Sequence, residues 1–263
     1  MLDARNGRRA EVRLGRPGML RVGAHVSQGT SGEPGWADVR VLLVADLLTR
    51  VAELQGLQAL TAVVFPHELP AEPGFAERAA DLLGVHPPAA RASSPRTAVT
   101  PGGPLDVHIT GPGDVDDRWG GLVAQAGPVR MDSANSGESG LAGVGTAAAG
   151  EDPLVIRLAL MSCPHNHVAD LGEGVLARVG KAATQWRNQV AGWAESPSKP
   201  MPERISTALD SAFGDLDLPR ALALLTALAK DRDIPDGARF ETFVFADRVL
   251  GLDLARHIGR PRQ

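Results

Sequence analysis

The residues best suited to metal chemistry stand together in one short run, Cys163-Pro164-His165-Asn166-His167. A thiolate and two imidazoles are ligands that zinc prefers. Ligands at alternate positions of a five-residue run seldom complete a tetrahedron without a distant fourth ligand, and Cys163 is the only cysteine of the chain. We therefore expect no metal there.

Two other histidines, His25 and His108, fall on predicted strands, where an imidazole could act as a general acid or base. The sequence assigns no partner carboxylate to either of them, which favours histidines of a core or pocket wall over catalytic ones. The acidic residues Asp114, Asp116 and Asp117 could bind a hard cation. One short loop supplies few organised oxygen ligands, however, so a solvated turn is the favoured interpretation.

A glycine-rich stretch over residues 29–35 precedes a predicted helix and could bind phosphate, because backbone N–H groups at a helix start attract anions. The stretch lacks the strict Gly-x-Gly-x-x-Gly pattern of dinucleotide-binding loops. The alternative is a loop that has lost any such role. Both interpretations stay open at this point.

The elements that must position these residues form a strand–loop–helix–strand unit. Strands are predicted over residues 19–26 and 60–65, with a buried helix over residues 39–54 between them and Asp38 near its start. Such units build parallel sheets whose ligands bind at the carboxyl ends of the strands. A third strand is predicted over residues 105–110 and a second helix over residues 121–125.

From Asp152 onward, apolar residues recur at helical spacing. One helix face holds residues that follow each other three or four positions apart: Val175, Val179, Ala182, Trp186, Val190 and Trp193. Asp217 is a predicted N-cap with a proline in the first turn, and Gly251 suits a left-handed helix end. Helices joined by short polar turns form a bundle. The sequence therefore predicts an α/β fold, with a Rossmann-like parallel sheet over residues 1–151 and an all-α bundle over residues 152–263.

Composition limits the partners. The formal net charge is −4, and neither half has the basic excess of a nucleic-acid-binding surface. The chain has no long uncharged apolar run and no apolar signal-peptide core near Met1, so we expect a cytoplasmic protein without a membrane segment. Lysine occurs only at Lys181, Lys199 and Lys230, so the first 180 residues contain no primary-amine side chain.

Motifs in both halves carry a family resemblance. Residues 216–225 and 247–252, together with residues 152–160, resemble the helical bundle of cysteinyl-tRNA synthetases and the segment that leads into it. They are equally similar to the related ATP-dependent ligase that joins cysteine to glucosaminyl-inositol in mycothiol synthesis. In the sheet half, Asp106-Val107-His108, Gly111 and Ala124-Gln125 match the surroundings of that family's zinc and cysteine site. The resemblance implies a sheet of the class I synthetase type, shortened and without the anticodon-binding domain.

The resemblance places the family's ATP-binding devices on unsuitable residues. Its His-x-Gly-His signature falls on residues 33–36, Glu-Pro-Gly-Trp, so both imidazoles are missing and Glu33 would repel phosphate. Its mobile loop, whose two lysines neutralise the developing pyrophosphate charge, falls on residues 132–151, which contain neither lysine nor arginine. Arg130 is the only nearby cation.

The family's zinc ligands are also replaced. The cysteine of the first strand falls on Gly23 or Ala24, and the histidine pair and glutamate fall on Arg118, Trp119 and Gly120. A tetrahedral thiolate site cannot form from these residues, so we expect no zinc. The resemblance also implies that the run starting at Cys163 is a turn at a helix end, with Cys163 as a buried filler and His165 and His167 as surface caps.

The sequence thus predicts a synthetase-like protein that is not catalytic and serves as a binding or partner protein for an unknown protein or small molecule. One alternative is an ATP-dependent amino-acid ligase resembling the mycothiol enzyme, in which Arg118, Arg130 and backbone donors near Gly35 handle the phosphates. Another is a tRNA-binding regulator, which the charge and the missing anticodon domain disfavour. No resident cofactor is expected, and ATP stays open as a ligand. The resemblance implies a pocket formed by His25, Ser27, Gly35, Trp36, His108, Gly111, Arg118, Trp119 and Arg130.

Overall fold

The computed structural model describes residues 1–27, 35–65, 79, 81–92, 103–113, 115–116, 119–131 and 152–259. Several sequence predictions lie outside these ranges. They concern Glu33 and Pro34 of the altered signature, Arg118 of the expected pocket, Asp114 and Asp117, and the lysine-free loop over residues 132–151.

A five-stranded parallel sheet dominates the first half of the chain. Two short strands, β1 (Leu2–Asp3) and β2 (Arg8–Arg9), pair antiparallel before it. The sheet consists of β3 (Met19–His25), β4 (Gln58–Val64), β5 (Ala90–Ala92), β6 (Val107–Thr110) and β7 (Leu122–Gln125), in the order β5-β4-β3-β6-β7. Along the chain, the sheet is built outward from β3 through β4 to β5. Strand β6 then pairs with the other side of β3, and β7 pairs with β6. The strand order therefore reverses between β3 and β6, the point where open parallel sheets bind ligands.

Helix α1 (Trp36–Leu54) connects β3 to β4 and covers one face of the sheet. Alternate residues of β3, Leu20, Val22 and Ala24, belong to the same apolar core as this helix. Strand residues Ala62 and Val64 pack with Leu105 in a separate small cluster. The predicted strands and the predicted buried helix are thus confirmed, with the helix starting a few residues earlier than predicted.

The second helix predicted for the sheet half is wrong, because residues 122–125 form β7. Gly121 has φ +76°. It lies so close to the backbone of Asp106, the residue before β6, that a Cβ at position 121 would be 2.4 Å from the Asp106 carbonyl oxygen. From that turn the chain runs beside β6 and buries Leu122, Val123 and Ala124. A short apolar run has no helical or strand period of its own, so the sequence alone could not separate the two.

The second half is helical, as predicted, with one small exception. Strand β8 (Val129–Arg130) pairs in parallel with β9 (Ala169–Asp170), which lies within the helical half. The helices are α2 (Pro153–Met161), α3 (Glu173–Trp193), α4 (Glu203–Gly214), α5 (Leu218–Lys230) and α6 (Asp236–Leu250). In the described ranges no helix is long and apolar enough to cross a membrane.

Local signals for these helices behave as predicted. Asp217 Oδ1 accepts a hydrogen bond from Arg220 N at 3.2 Å, and Gly251 ends α6 in the left-handed conformation. Trp186 and Trp193 are core residues, both in edge-to-face contact with Phe243 of α6. These contacts join α3 to α6 and place α6 inside the bundle.

A buried ionic cluster joins the two halves. Asp46 of α1 accepts hydrogen bonds from Arg157 of α2 at 2.7 Å and from Arg50 at 2.8 Å. Arg157 also donates to the carbonyl oxygens of Leu83 and Leu250, so it ties α1 and α6 to α2. One continuous apolar core extends through both halves. The division into two domains between residues 151 and 152 stays a prediction.

Candidate functional site at the strand-order reversal

Two histidines meet where the strand order reverses. His25 is the last residue of β3, and His108 of β6 pairs with Gly23 in the register of the sheet. His25 Nε2 and His108 Nδ1 are 2.9 Å apart, so one ring donates its proton to the other. Both side chains are buried. The expected pocket histidines therefore form a single hydrogen-bonded pair.

The indole of Trp119 covers this pair. Its ring is stacked on His25 with centroids 4.2 Å apart and on His108 with centroids 5.0 Å apart. Arg5 secures the Trp119 segment by donating to the carbonyl oxygens of Trp119 and Gly121, and Asp3 in turn binds Arg5 at 2.7 Å. The N-terminal hairpin thus holds a tryptophan over the two imidazoles.

Gly23 makes room for this arrangement. A Cβ at this position would lie 2.5 Å from Leu105 Cδ1 and 3.1 Å from His25 Nε2. A side chain here would push against the imidazole of His25 and against Leu105 together. The same position is one of the two where the family resemblance implies a zinc-binding cysteine. Glycine at this position therefore leaves room for the imidazole of His25, whose Nε2 lies close to residue 23 of the same strand.

Burial keeps both imidazoles neutral. Desolvation, with a contribution from the adjacent His108, lowers the pKa of His25 to about 3. Desolvation also lowers the pKa of His108 to about 4, with Arg5 acting in the same direction and the Gly120 backbone opposing it. At neutral pH the pair therefore presents hydrogen-bonding groups and no positive charge. Two uncharged rings cannot attract a phosphate through charge.

The start of α1 is occupied by an internal anion. Asp38 is buried, and its carboxylate accepts hydrogen bonds from Ser27 N at 2.6 Å, Ser27 Oγ at 3.0 Å and Gly35 N at 2.6 Å. These contacts bring together two residues of the expected pocket, Ser27 and Gly35. They also place a negative charge at the positive end of the helix dipole, a position that favours anions such as phosphate.

Two buried polar atoms near this edge lack a partner within the part of the chain that the structure describes. They are Thr110 Oγ1, at the end of β6, and Trp36 Nε1, in the first turn of α1. The Thr110 side chain is fully buried. Buried polar groups are nearly always hydrogen-bonded in folded proteins, so unpartnered ones mark positions where a bound molecule could supply the missing bond.

The remaining residues of the expected pocket are less closely joined. The carbonyl oxygen of Gly111, directly after β6, accepts a hydrogen bond from Gln125 Nε2 at 3.2 Å. Arg130 is exposed and lies in β8, whose backbone pairs with β9 instead of with the large sheet. Sequence reasoning missed the roles of Asp38 and Arg5. An acid three residues after a helix cap is a recognisable signal, whereas the contact of Arg5 crosses more than a hundred residues and has none.

The cysteine–histidine run lies elsewhere, at the end of α2. Cys163 is partly exposed, not buried as predicted, and its Sγ accepts a hydrogen bond from Arg40 at 3.1 Å. His167 is exposed as predicted, whereas His165 is half-buried and is not a surface cap. Arg40 is itself buried and donates to the carbonyl oxygens of Gly127 and Pro164. Its side chain therefore fixes the turn that contains Cys163. Among the residues in view, no three His, Cys, Asp or Glu side chains converge into a group that could hold a metal ion.

Comparison with models of known protein families and with curated proteins finds no match to this chain. The resemblance to cysteinyl-tRNA synthetases therefore rests on the motifs alone.

The chemistry of the site can be tested against the groups that the resemblance implies. Zinc does not fit, because the two imidazoles bind each other and the aligned positions offer no thiol. ATP phosphates meet an obstacle at the start of α1, because the Asp38 carboxylate accepts the N–H of Gly35 at the helix cap and carries a like charge. An uncharged or zwitterionic small molecule meets neither obstacle.

Proposed function

We propose that this protein is a non-catalytic binding protein on a scaffold resembling cysteinyl-tRNA synthetases. The single observation that carries the proposal is the position of Asp38, whose buried carboxylate binds the backbone N–H groups of Ser27 and Gly35. A nucleotide-dependent ligase of the family that the chain resembles would hold phosphate at this end of α1. An anion that already occupies it competes with phosphate for the donors and repels its charge.

The histidine pair supports the same proposal. Catalysis of adenylate formation needs positive charge against the leaving pyrophosphate. His25 and His108 are neutral at physiological pH, and the stretch over residues 132–151 contributes neither lysine nor arginine. The chain therefore lacks, at the aligned positions, the charges that lower that barrier.

The unpartnered atoms favour binding as the function. Thr110 Oγ1 can donate or accept a hydrogen bond, and Trp36 Nε1 can only donate. A ligand carbonyl or carboxylate oxygen would satisfy Trp36 Nε1, and a ligand hydroxyl, amide or carbonyl group would satisfy Thr110 Oγ1. Trp119 offers an aromatic surface at the same strand-order reversal. The ligand class that fits is a small polar molecule without a polyphosphate.

Pyrophosphate exchange with ATP and a panel of amino acids tests the non-catalytic part. We expect no exchange above background for any amino acid. Exchange that disappears in Arg118→Ala or Arg130→Ala, but not in the exposed-site variant Arg204→Ala, would establish the ligase alternative. Gel-shift titration with total tRNA tests the regulator alternative, for which we expect no complex at physiological salt.

Thermal-shift and calorimetric titrations test the binding part. Cysteine, ATP and a non-hydrolysable cysteinyl-adenylate analogue are added separately to the wild-type protein and to Thr110→Val, which removes the hydroxyl while keeping the volume. We expect ATP to leave the melting temperature unchanged. Stabilisation by the analogue or the amino acid that is weakened in Thr110→Val would support a retained pocket.

Metal analysis of protein purified without chelator should find no stoichiometric zinc, and one equivalent would contradict this.

A further inference from the structure

A second candidate site lies on the helical half of the molecule. It is an open groove of about 1000 Å³ between α3, the start of α2 and the segment that follows α6. Ligand-binding clefts span about 300 to 1,000 Å³, so the groove is at the upper end of that range. None of the pocket residues discussed above lines it.

The groove is elongated along α3. Ala177, Lys181, Gln185 and Asn188 line it at intervals of three or four residues, which places them on one stripe of the helix. Eleven residues of α-helix extend about 16 Å. An extended peptide advances about 3.3 Å per residue, so a segment of about five residues matches this length. A single inorganic ion would occupy only a small part of it.

The groove has an excess of positive charge. Among the described residues that line it, Asp152 is the one acidic side chain, against Lys181, Arg187 and Arg256. Both guanidinium groups bind the same Asp152 oxygen, and Asp253 adds a contact to Arg256 at 2.9 Å. Burial alone would raise the pKa of Asp152, but the Leu154 N–H and both arginines outweigh it and hold that pKa below its usual value. The Asp152 carboxylate thus stays ionised. Among the described residues, three cations then face the two carboxylates of Asp152 and Asp253, which leaves one positive charge uncompensated.

Lys181 supplies the part of this charge that is open to a partner. Its side chain is exposed, and within the described part of the chain it forms neither an ion pair nor a hydrogen bond. Arg187, by contrast, is almost fully buried and also donates to the carbonyl oxygen of Leu252. A bound carboxylate would therefore reach Lys181 and the partly exposed Arg256 first, with Arg187 fixing their counter-ion in place.

Polar groups in the groove match a peptide backbone. Gln189 lines the groove, and its Oε1 is buried and without a hydrogen-bond partner among the described residues. An acceptor of this kind needs an N–H or O–H donor, which a carboxylate or a fully ionised phosphate does not carry. The amide of Gln185, on the neighbouring turn, can both donate to and accept from a peptide group. A peptide brings N–H donors and carboxylates together.

We propose that this groove binds an extended acidic peptide segment of a partner protein. Its carboxylates pair with Lys181 and Arg256, and its backbone N–H groups bind Gln189 Oε1. The proposal names a site on a different surface from the strand-order reversal, and it does not depend on whether that edge is catalytic.

Fluorescence anisotropy of the full chain with a labelled, N-acetylated hexaglutamate peptide tests the proposal. We expect saturable binding to the wild-type protein and none for a hexalysine peptide. Lys181→Glu should weaken binding about tenfold or more, because it replaces an attraction with a repulsion in the groove. The matched controls Lys199→Glu and Lys230→Glu make the same charge change at exposed positions outside the groove and should stay within about twofold.

Two further measurements separate peptide binding from general attraction to anions. Gln189→Leu removes the unpartnered acceptor without changing charge, and we expect a several-fold loss of peptide affinity. Inorganic pyrophosphate should displace the peptide only at concentrations that act through ionic strength, as matched sodium chloride does. Equal losses in all three lysine variants, undetectable peptide binding at millimolar protein, or tight displacement by pyrophosphate would each overturn the proposal. Melting temperatures within a few degrees of wild type show that every variant is folded.

Discussion

Two buried polar regions of this molecule differ in how completely their groups are satisfied. In the Asp46 cluster, a carboxylate binds two arginines, and Arg157 uses its other donors on carbonyl oxygens of two further segments. At the strand-order reversal, two imidazoles bind each other, while Thr110 Oγ1 and Trp36 Nε1 have no partner in the described ranges. Both regions contain buried polar side chains, but they differ in how many of these groups have a hydrogen-bond partner.

The difference separates a structural role from a binding role. Burial alone would raise the pKa of Asp46, but Arg157 and Arg50 outweigh it and hold that pKa below its usual value. That cluster is ionised, compensated and closed to additional partners. The histidine pair is neutral because desolvation outweighs the Gly120 backbone contact that raises the pKa of His108. Thr110 Oγ1 and Trp36 Nε1, at the same edge of the sheet, have no partner among the described residues. Only the second region has something to gain from a ligand.

The largest expected effect is at the Asp46 cluster. Arg157→Ala leaves a buried carboxylate without its main counter-ion, and breaking such a pair costs about 3 to 5 kcal/mol of unfolding free energy. Urea unfolding followed by far-UV circular dichroism measures the loss. Arg204→Ala, which removes an exposed pair with Asp231, is the control and should cost less than about 1 kcal/mol. Similar losses in both variants would show that the cluster does not hold the halves together.

The second effect is acid destabilisation through the histidine pair. The folded-state pKa values of His25 and His108 are about 3 and about 4, below the usual value of 6.5, so the unfolded chain binds more protons between these limits. Stability is complete above pH 6.5 and falls as the pH drops toward 4. At pH 5.5 the two histidines together should cost about 3 kcal/mol relative to pH 8.

Urea unfolding at both pH values measures this loss. The double variant His25→Gln, His108→Gln is the control and should show a clearly smaller loss. His165, whose pKa burial and Arg40 also lower to about 4, leaves a residual slope in both proteins. Identical pH profiles would remove the pair from the explanation.

The third effect concerns the cover over the pair. Trp119→Ala removes the stacked indole and should cost about 2 kcal/mol of unfolding free energy. Water would then reach both imidazoles, so their pKa values should rise toward 6.5. Histidine ring resonances in an NMR titration report this directly. Trp119→Phe keeps an aromatic ring and should shift the pKa values less; unchanged histidine titration in both variants would mean that the indole does not exclude water.

The smallest effect is at the start of α1. Asp38→Ala removes a helix-capping carboxylate and should cost about 1 kcal/mol. The freed N–H groups of Ser27 and Gly35 should give the variant a measurable affinity for pyrophosphate that the wild-type protein lacks. Asp38→Asn keeps an acceptor in place and should gain less. Pyrophosphate binding by the wild-type protein in the same calorimetric titration would contradict the proposed role of Asp38.

Patterns with a short period carried most of the fold prediction. The helical stripe from Val175 to Trp193, the N-cap Asp217 and the glycine end at Gly251 each depend on neighbours within a few turns, and the structure confirms them. Residues 122–125 are a case in which local patterns did not predict the secondary structure. Their strand state depends on the close approach of Gly121 to Asp106, which no local pattern contains.

The candidate site divides in the same way. The sequence pointed to His25, His108 and Trp119 through a family resemblance, but not to their contact or to their protonation. The desolvation of an imidazole depends on the groups that cover it. Here Trp119 covers the rings, and Arg5, near the start of the chain, holds residues 119–121 in place.

The sequence by itself determined the first strand–helix–strand unit, the parallel sheet followed by helices, and the lack of lysine before Lys181, because periodicity and composition are properties of the chain. Only the tertiary structure decided that Asp38 binds the N–H groups of Ser27 and Gly35, that Cys163 binds Arg40, and that Lys181 lines a cationic groove. Each of those contacts is set by distance and burial, and residues far apart in the chain acquire both only when the sheet and the helices pack together.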